Sequence, residues 1–154
     1  MRFAIILTVV MTCAFGINGY ASETRVSGAG FDGVILDLPS TQKNIEVWIP
    51  VYDQISEMEK ALPEYVKTYI KANKITLTKP ITKYKRQYVG IKDNGRKLIG
   101  TNYYYDNLDF VTSKKWLKTV GDCSAGGDEY LGSVYDVDQK AFVLFEIYSK
   151  KADR

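Results

Sequence analysis

The sequence predicts an α+β domain in which one helix lies on an antiparallel sheet of about five strands. Three observations carry this. Only one stretch, residues 53–74, repeats apolar residues at helical spacing: Ile55, Met58, Leu62, Tyr65, Val66, Tyr69 and Ile70 recur at steps of three and four. An Asp93-Asn94-Gly95 turn sits between two runs rich in β-branched and aromatic residues, and Asn-Gly is the strongest short hairpin signal. A last run, Ala141-Phe142-Val143-Leu144-Phe145, is apolar without alternation, as a central strand would be.

The chain opens with Arg2, an apolar run over residues 3–17, and the small-residue site Gly19-Tyr20-Ala21 ahead of polar Ser22. That is the order of a secretory leader, with cleavage expected between Ala21 and Ser22. The run falls short of the roughly 20 residues a membrane-spanning helix needs. Export to a periplasm or exterior is the expectation. Cys13 allows a lipid-anchored alternative, but Val10-Met11-Thr12 lacks the small residues such processing wants. About 133 residues remain after cleavage, enough for one core and too few for two.

Within that remainder, residues 22–33 read as a flexible, glycine-rich lead-in, and the domain itself as residues 34–150. Val34-Ile35-Leu36 reads as a first edge strand stopped by Pro39, and Ile45-Glu46-Val47-Trp48-Ile49 as a second strand ended by Pro50. In the helix, Asp53 is the expected N-cap, and Glu57 and Glu59 place acid in the first turns, where the helix dipole favours it. Interior Pro63 removes a hydrogen bond and clashes with the preceding turn, so the helix is expected to be kinked there or built as two pieces.

With Asn94-Gly95 as the two loop residues, counting outward sets Ile91 against Leu98, Val89 against Gly100 and Gln87 against Asn102. The opposite face then carries Tyr84 with Tyr105, Arg86 with Tyr103 and Tyr88 with Thr101. Residues 116–120 read as a further strand, residues 121–127 as a glycine-rich break, and residues 129–137 and 140–148 as a closing hairpin. The order of strand, helix and four antiparallel strands resembles that of cystatin-like domains, which implies a helix lying across a curved sheet.

Three segments together carry a second resemblance. They are Trp48-Ile49-Pro50 leading into a helix with Glu59 and Leu62; Tyr84-x-Arg86-Gln87-Tyr88-x-Gly90 with Asn102 on the partner strand; and Gly126-Gly127-Asp128-x-Tyr130 leading to Tyr135-Asp136. The chain resembles a group of short, exported, uncharacterised bacterial proteins that share these elements. It departs from them at Cys123-Ser124-Ala125, which reads as inserted, and at its C-terminal end. The resemblance implies export and the fold outline, and no activity.

Composition narrows the chemistry. There is no histidine, so neither a Ser-His-Asp nor a Cys-His device can be built. Neither a cofactor nor a metal is expected. A charge balance of 21 basic against 18 acidic residues is too even to imply nucleic acid. Cys123, alone after leader removal, is read as a buried inert thiol. Asp122, Asp128 and Glu129 would serve a carboxylate-dependent hydrolase if they converged, but acids in a glycine-rich turn are ordinary loop composition. Asp136-Val137-Asp138 lacks the further ligands of a calcium loop and reads as a turn.

Arg86 is the residue the hairpin singles out. Placed among Tyr84, Tyr88, Tyr103 and Tyr105, it is either a recognition patch presented to a partner or a structural arginine pinned beneath a tyrosine-covered sheet. Cross-strand aromatic pairs are common stabilisers, which favours the structural alternative. Asp128, aimed by Gly126-Gly127, joins these as a binding candidate. The expected activity is that of a non-enzymatic binding module, of inhibitor, immunity or ligand-binding type, facing an envelope or secreted protein. A hydrolase-like enzyme and a structural envelope component are the alternatives.

Overall fold

A computed structural model describes residues 22–37, 46–119 and 127–148. The expected leader with its Ala21 boundary, and Cys13, Cys123 and Asp122, lie outside these residues. Among the described residues seven strands form one sheet: β1 (Ser22–Gly28), β2 (Phe31–Asp37), β3 (Glu46–Trp48), β4 (Tyr84–Asp93), β5 (Arg96–Tyr105), β6 (Tyr130–Asp136) and β7 (Ala141–Ile147). The order is β1-β2-β4-β5-β6-β7, with β3 on the same edge of β4 as β2. A 22-residue helix, α1 (Tyr52–Asn73), crosses one face, and a short helix, α2 (Asp109–Thr112), with a 3₁₀ turn (Lys115–Leu117) straps part of the other. The architecture is α+β in a single domain.

The central hairpin takes the counted register: Tyr84 pairs with Tyr105, Arg86 with Tyr103, Gln87 with Asn102, Tyr88 with Thr101 and Ile91 with Leu98. Asn94 and Gly95 occupy positive φ, 50° and 81°, as a two-residue type I′ turn demands.

Several expectations are corrected. The sheet has more strands than expected and is mixed, because β2 runs parallel to β4. A parallel neighbour needs a crossover, and β3 with α1 supplies it. Residues 22–33 are no lead-in: β1 and β2 form an antiparallel hairpin turned at Gly30, whose φ is 83°. Its polar sequence suits the sheet edge, where Val26 is buried and residues 23–25, 27 and 28 are exposed. β2 is therefore interior.

Residues 116–120 form no strand where described; Trp116 instead drops from the 3₁₀ turn onto Val34, Leu36, Tyr104 and Tyr130. β7 is an edge strand, and its second apolar face is half-buried.

The N-cap is Val51 rather than Asp53, and Val51 N–H donates to Gln54 Oε1 at 3.0 Å. The helix is assigned continuously through Pro63, which sits on its exposed side. Ile55, Met58, Leu62 and Val66 are buried against the sheet, with Tyr65 and Tyr69 against Phe142 and Phe145 of β7. The helix covers Val26, Ile35, Tyr88, Ile99 and Tyr135 at one end and Tyr84, Tyr103 and Leu131 at the other.

Candidate functional site

Side chains alternate along β4, so Tyr84, Arg86 and Tyr88 all face α1. Arg86 is only 1% exposed. Its Nε donates to Glu59 Oε1 at 3.1 Å, one guanidinium nitrogen to the Tyr84 carbonyl, and the other to the Gly30 carbonyl at 3.3 Å. Its Cζ lies 5.7 Å from the Tyr103 ring centre. Tyr88 OH donates to the same Glu59 oxygen at 2.8 Å, and Tyr103 OH meets Ser133 Oγ at 2.9 Å.

Burial raises the Glu59 carboxyl above its ordinary range, opposed by the Arg86 charge and the Tyr88 and Arg86 hydrogen bonds. Burial and the neighbouring Glu59 charge push the Tyr88 phenol well up. The arginine expected among tyrosines is thus there, and it is sealed under the helix. The recognition-patch alternative is corrected: a group this buried presents no donors to a partner, and its fork is occupied by three oxygens of its own chain.

Glu59 is the member of this network that sequence reasoning missed as a partner. The signal was available. It sits on the apolar stripe, four residues after Ile55 and three before Leu62, where an acid is out of place unless a cation meets it.

Tyr105 and Asp128 gather at the far end of the same hairpin. Asp128 Oδ1 accepts from Lys79 Nζ at 2.7 Å, and Oδ2 accepts from Thr78 N–H at 3.0 Å and from the Thr78 hydroxyl. Tyr84 OH donates to the Asp128 carbonyl, and the Tyr84 and Tyr105 rings meet edge-on at 5.5 Å. Lys79 Nζ also lies 3.8 Å from Glu129 and 5.1 Å from the Tyr105 ring centre.

Partial burial would raise the Asp128 carboxyl, but the hydrogen bonds from Lys79 and Thr78 hold it below its ordinary range. Gly127 takes a φ of 88° in the turn before β6, and Gly126 lies outside the described residues. The cluster ties the segment after α1 to the start of β6. Nothing local in the sequence announces a contact between residues 49 positions apart.

Asp128 and Glu129 share one lysine, Lys79. Asp136 is fully buried, and its Oδ1 accepts from the Asp138 and Gln139 N–H groups at 3.0 and 2.9 Å, capping the β6–β7 turn as expected. Gln87 and Asn102 face each other in register without bonding. Gln87 Nε2 donates to the Trp116 and Thr119 carbonyls, while Asn102 Oδ1 is buried without a hydrogen-bond partner. Among the described residues no three acids or cysteines gather as a metal site. No helix there is long and apolar enough to cross a membrane.

One exposed feature remains. Ile49, Val51 and Tyr52, in the link from β3 to α1, are 56%, 58% and 48% exposed. Their backbone is held firmly. Gly90 has no side chain, so Trp48 and Pro50 lie directly on β4; a Cβ at Gly90 would meet the Trp48 carbonyl oxygen at 2.1 Å. Trp48 Nε1 donates to the Ile91 carbonyl at 3.1 Å, and Lys97 Nζ stacks 5.3 Å above the Trp48 ring. No protein-family model, curated protein or solved structure matches the chain.

Proposed function

We propose that this chain is an exported, non-enzymatic binding module of inhibitor or immunity type, engaging a protein partner through Ile49, Val51 and Tyr52. The carrying observation is the combination at that link: three exposed apolar side chains on a backbone pinned by Gly90, Trp48 and the Val51–Gln54 contact. A segment already fixed in one conformation loses little entropy on binding, and an exposed tyrosine among aliphatic neighbours is common hot-spot chemistry. The leader-like residues 1–21 and the resemblance to small exported proteins support the location.

A carboxylate-dependent hydrolase is less well supported, because Lys79 engages both Asp128 and Glu129.

The test uses the purified chain as bait on the native exported fraction. Val51→Asp with Tyr52→Ala should abolish capture of the wild-type partner. Stability should hold or rise by about 1 kcal/mol, because Asp at the N-cap can accept from the first-turn N–H groups. A double variant that retains the same partner removes this reading.

A further inference from the structure

A row of residues crosses β4 to β7 on the sheet face turned away from α1. Gln87 pairs with Asn102, Asn102 with Gly132, and Gly132 with Glu146. Directly paired residues share a face, and Gln87 marks which one, since it bonds to the Trp116 carbonyl in the 3₁₀ turn.

Polar groups along this row go unanswered. Asn102 is 7% exposed, and its Oδ1 is buried with no hydrogen-bond partner. Tyr148, just past β7, packs on the cluster of Tyr104, Trp116 and Tyr130, and its buried hydroxyl has no partner either. Gly132 makes room for that hydroxyl: a Cβ there would stand 2.8 Å from Tyr148 Oη. Glu146 is half-buried, and no lysine or arginine among the described residues pairs with it. Burial pushes the Tyr148 phenol up to about 12, and the Glu146 charge adds to the push, so the two groups are neighbours. Burial also raises the Glu146 carboxyl.

Two buried oxygens and a carboxylate thus gather where β6 lacks a side chain. A buried oxygen without a partner is costly, and a partly buried carboxylate without a cation adds to that cost. Water could answer the oxygens, but it leaves the charge uncompensated. A primary ammonium answers all three groups, because it carries one positive charge and three N–H donors. Two strand spacings, about 10 Å, separate the Asn102 and Glu146 backbones, room for a side chain from each and a nitrogen between them. Tyr104 and Tyr130 flank the row on one side, and Val134 and Leu144 on the other. Aromatic faces attract a cation, and aliphatic neighbours suit a short carbon chain.

We propose that Asn102 Oδ1, the Tyr148 hydroxyl and the Glu146 carboxylate form a binding site for a small primary amine, taken as its ammonium ion. The site opens at the β7 edge, where Glu146 is half-buried. The inference does not rest on the Ile49–Tyr52 reading, which concerns a different surface.

The test titrates the purified chain with n-butylammonium, n-butanol or butyrate and follows amide resonances by NMR. Butylammonium should give saturable shifts at the Gly132 backbone N–H and the Asn102 side-chain amide, in the millimolar range for so small a ligand. Glu146→Gln and Tyr148→Phe keep the shape of the site, and each should weaken binding about tenfold with the thermal midpoint held. Equal shifts with butanol would mean apolar adsorption, and stronger shifts with butyrate would mean an anion site. No saturable shift with any of the three would mean that water alone answers these oxygens. Each of these results overturns the proposal. So does a Glu146→Gln variant with native circular dichroism that binds butylammonium as the wild type does.

Discussion

Arg86 and Glu59 form a buried pair, and such pairs behave asymmetrically. Each ion costs several kcal/mol to remove from water, so deleting one partner leaves the other uncompensated. Arg86→Ala should therefore cost about 3–5 kcal/mol, the range found when a buried pair is broken. Replacing both, Arg86→Met with Glu59→Leu, should recover part of that loss, since apolar side chains of similar size tolerate the site. Urea midpoints of the single and double variants measure this. A single variant as stable as the wild type would show that the network carries no stability. Half of this network was legible beforehand: the register placed Arg86 among the four tyrosines. Its carboxylate partner was not, because 27 residues separate Glu59 from Arg86 and only packing of α1 on β4 joins them.

At the scale of elements, the hairpin of β4 and β5 was readable to the residue. Asn-Gly fixes the turn, and a period of two then fixes which side chain faces which way. Replacing Asn94-Gly95 by Ala-Ala puts alanine at φ of 50° and 81° and should destabilise the domain by about 1–2 kcal/mol. An unchanged thermal midpoint would contradict the turn. The Trp116 segment failed for the opposite reason. Its residues suit a strand, but tertiary burial of Trp116 over Val34 and Leu36 outweighs propensity, and the chain coils into a 3₁₀ turn instead. The β1–β2 hairpin was missed because its polar, glycine-punctuated sequence carries no alternation to read.

Across the described residues, acid response follows from four shifted carboxyls, of which burial raises Glu146 together with Glu59. Asp32, bonded to Lys85 and Arg25 at 2.7 Å each, lies below its ordinary 3.8 although partial burial works the other way, and Asp128 does likewise. A depressed carboxyl contributes stability above its unfolded pKa and loses it as pH falls through the folded one. These two should therefore weaken the fold only below about pH 4. Glu59 is raised, so its ionised form is penalised in the fold, and lowering pH toward its ordinary 4.5 relieves that penalty. The denaturation midpoint should hold or rise from neutral pH to that range and then fall. Asp128→Asn should flatten the acid limb, and Glu59→Gln the limb above it. A midpoint that falls steadily from pH 7 would overturn this assignment.

The sequence by itself determined the α+β class, the one helix with its buried stripe, the central and closing hairpins, and the cluster of tyrosines around Arg86. These follow from local periodicity and turn chemistry, which act over a few residues. Only the tertiary structure decided that β2 joins β4 in parallel, that Arg86 is sealed by Glu59, that Asp128 is bound by Thr78 and Lys79, and that Ile49, Val51 and Tyr52 stay exposed. Those outcomes depend on which distant surfaces cover one another, and burial free energy scales with area removed from water whatever the sequence separation.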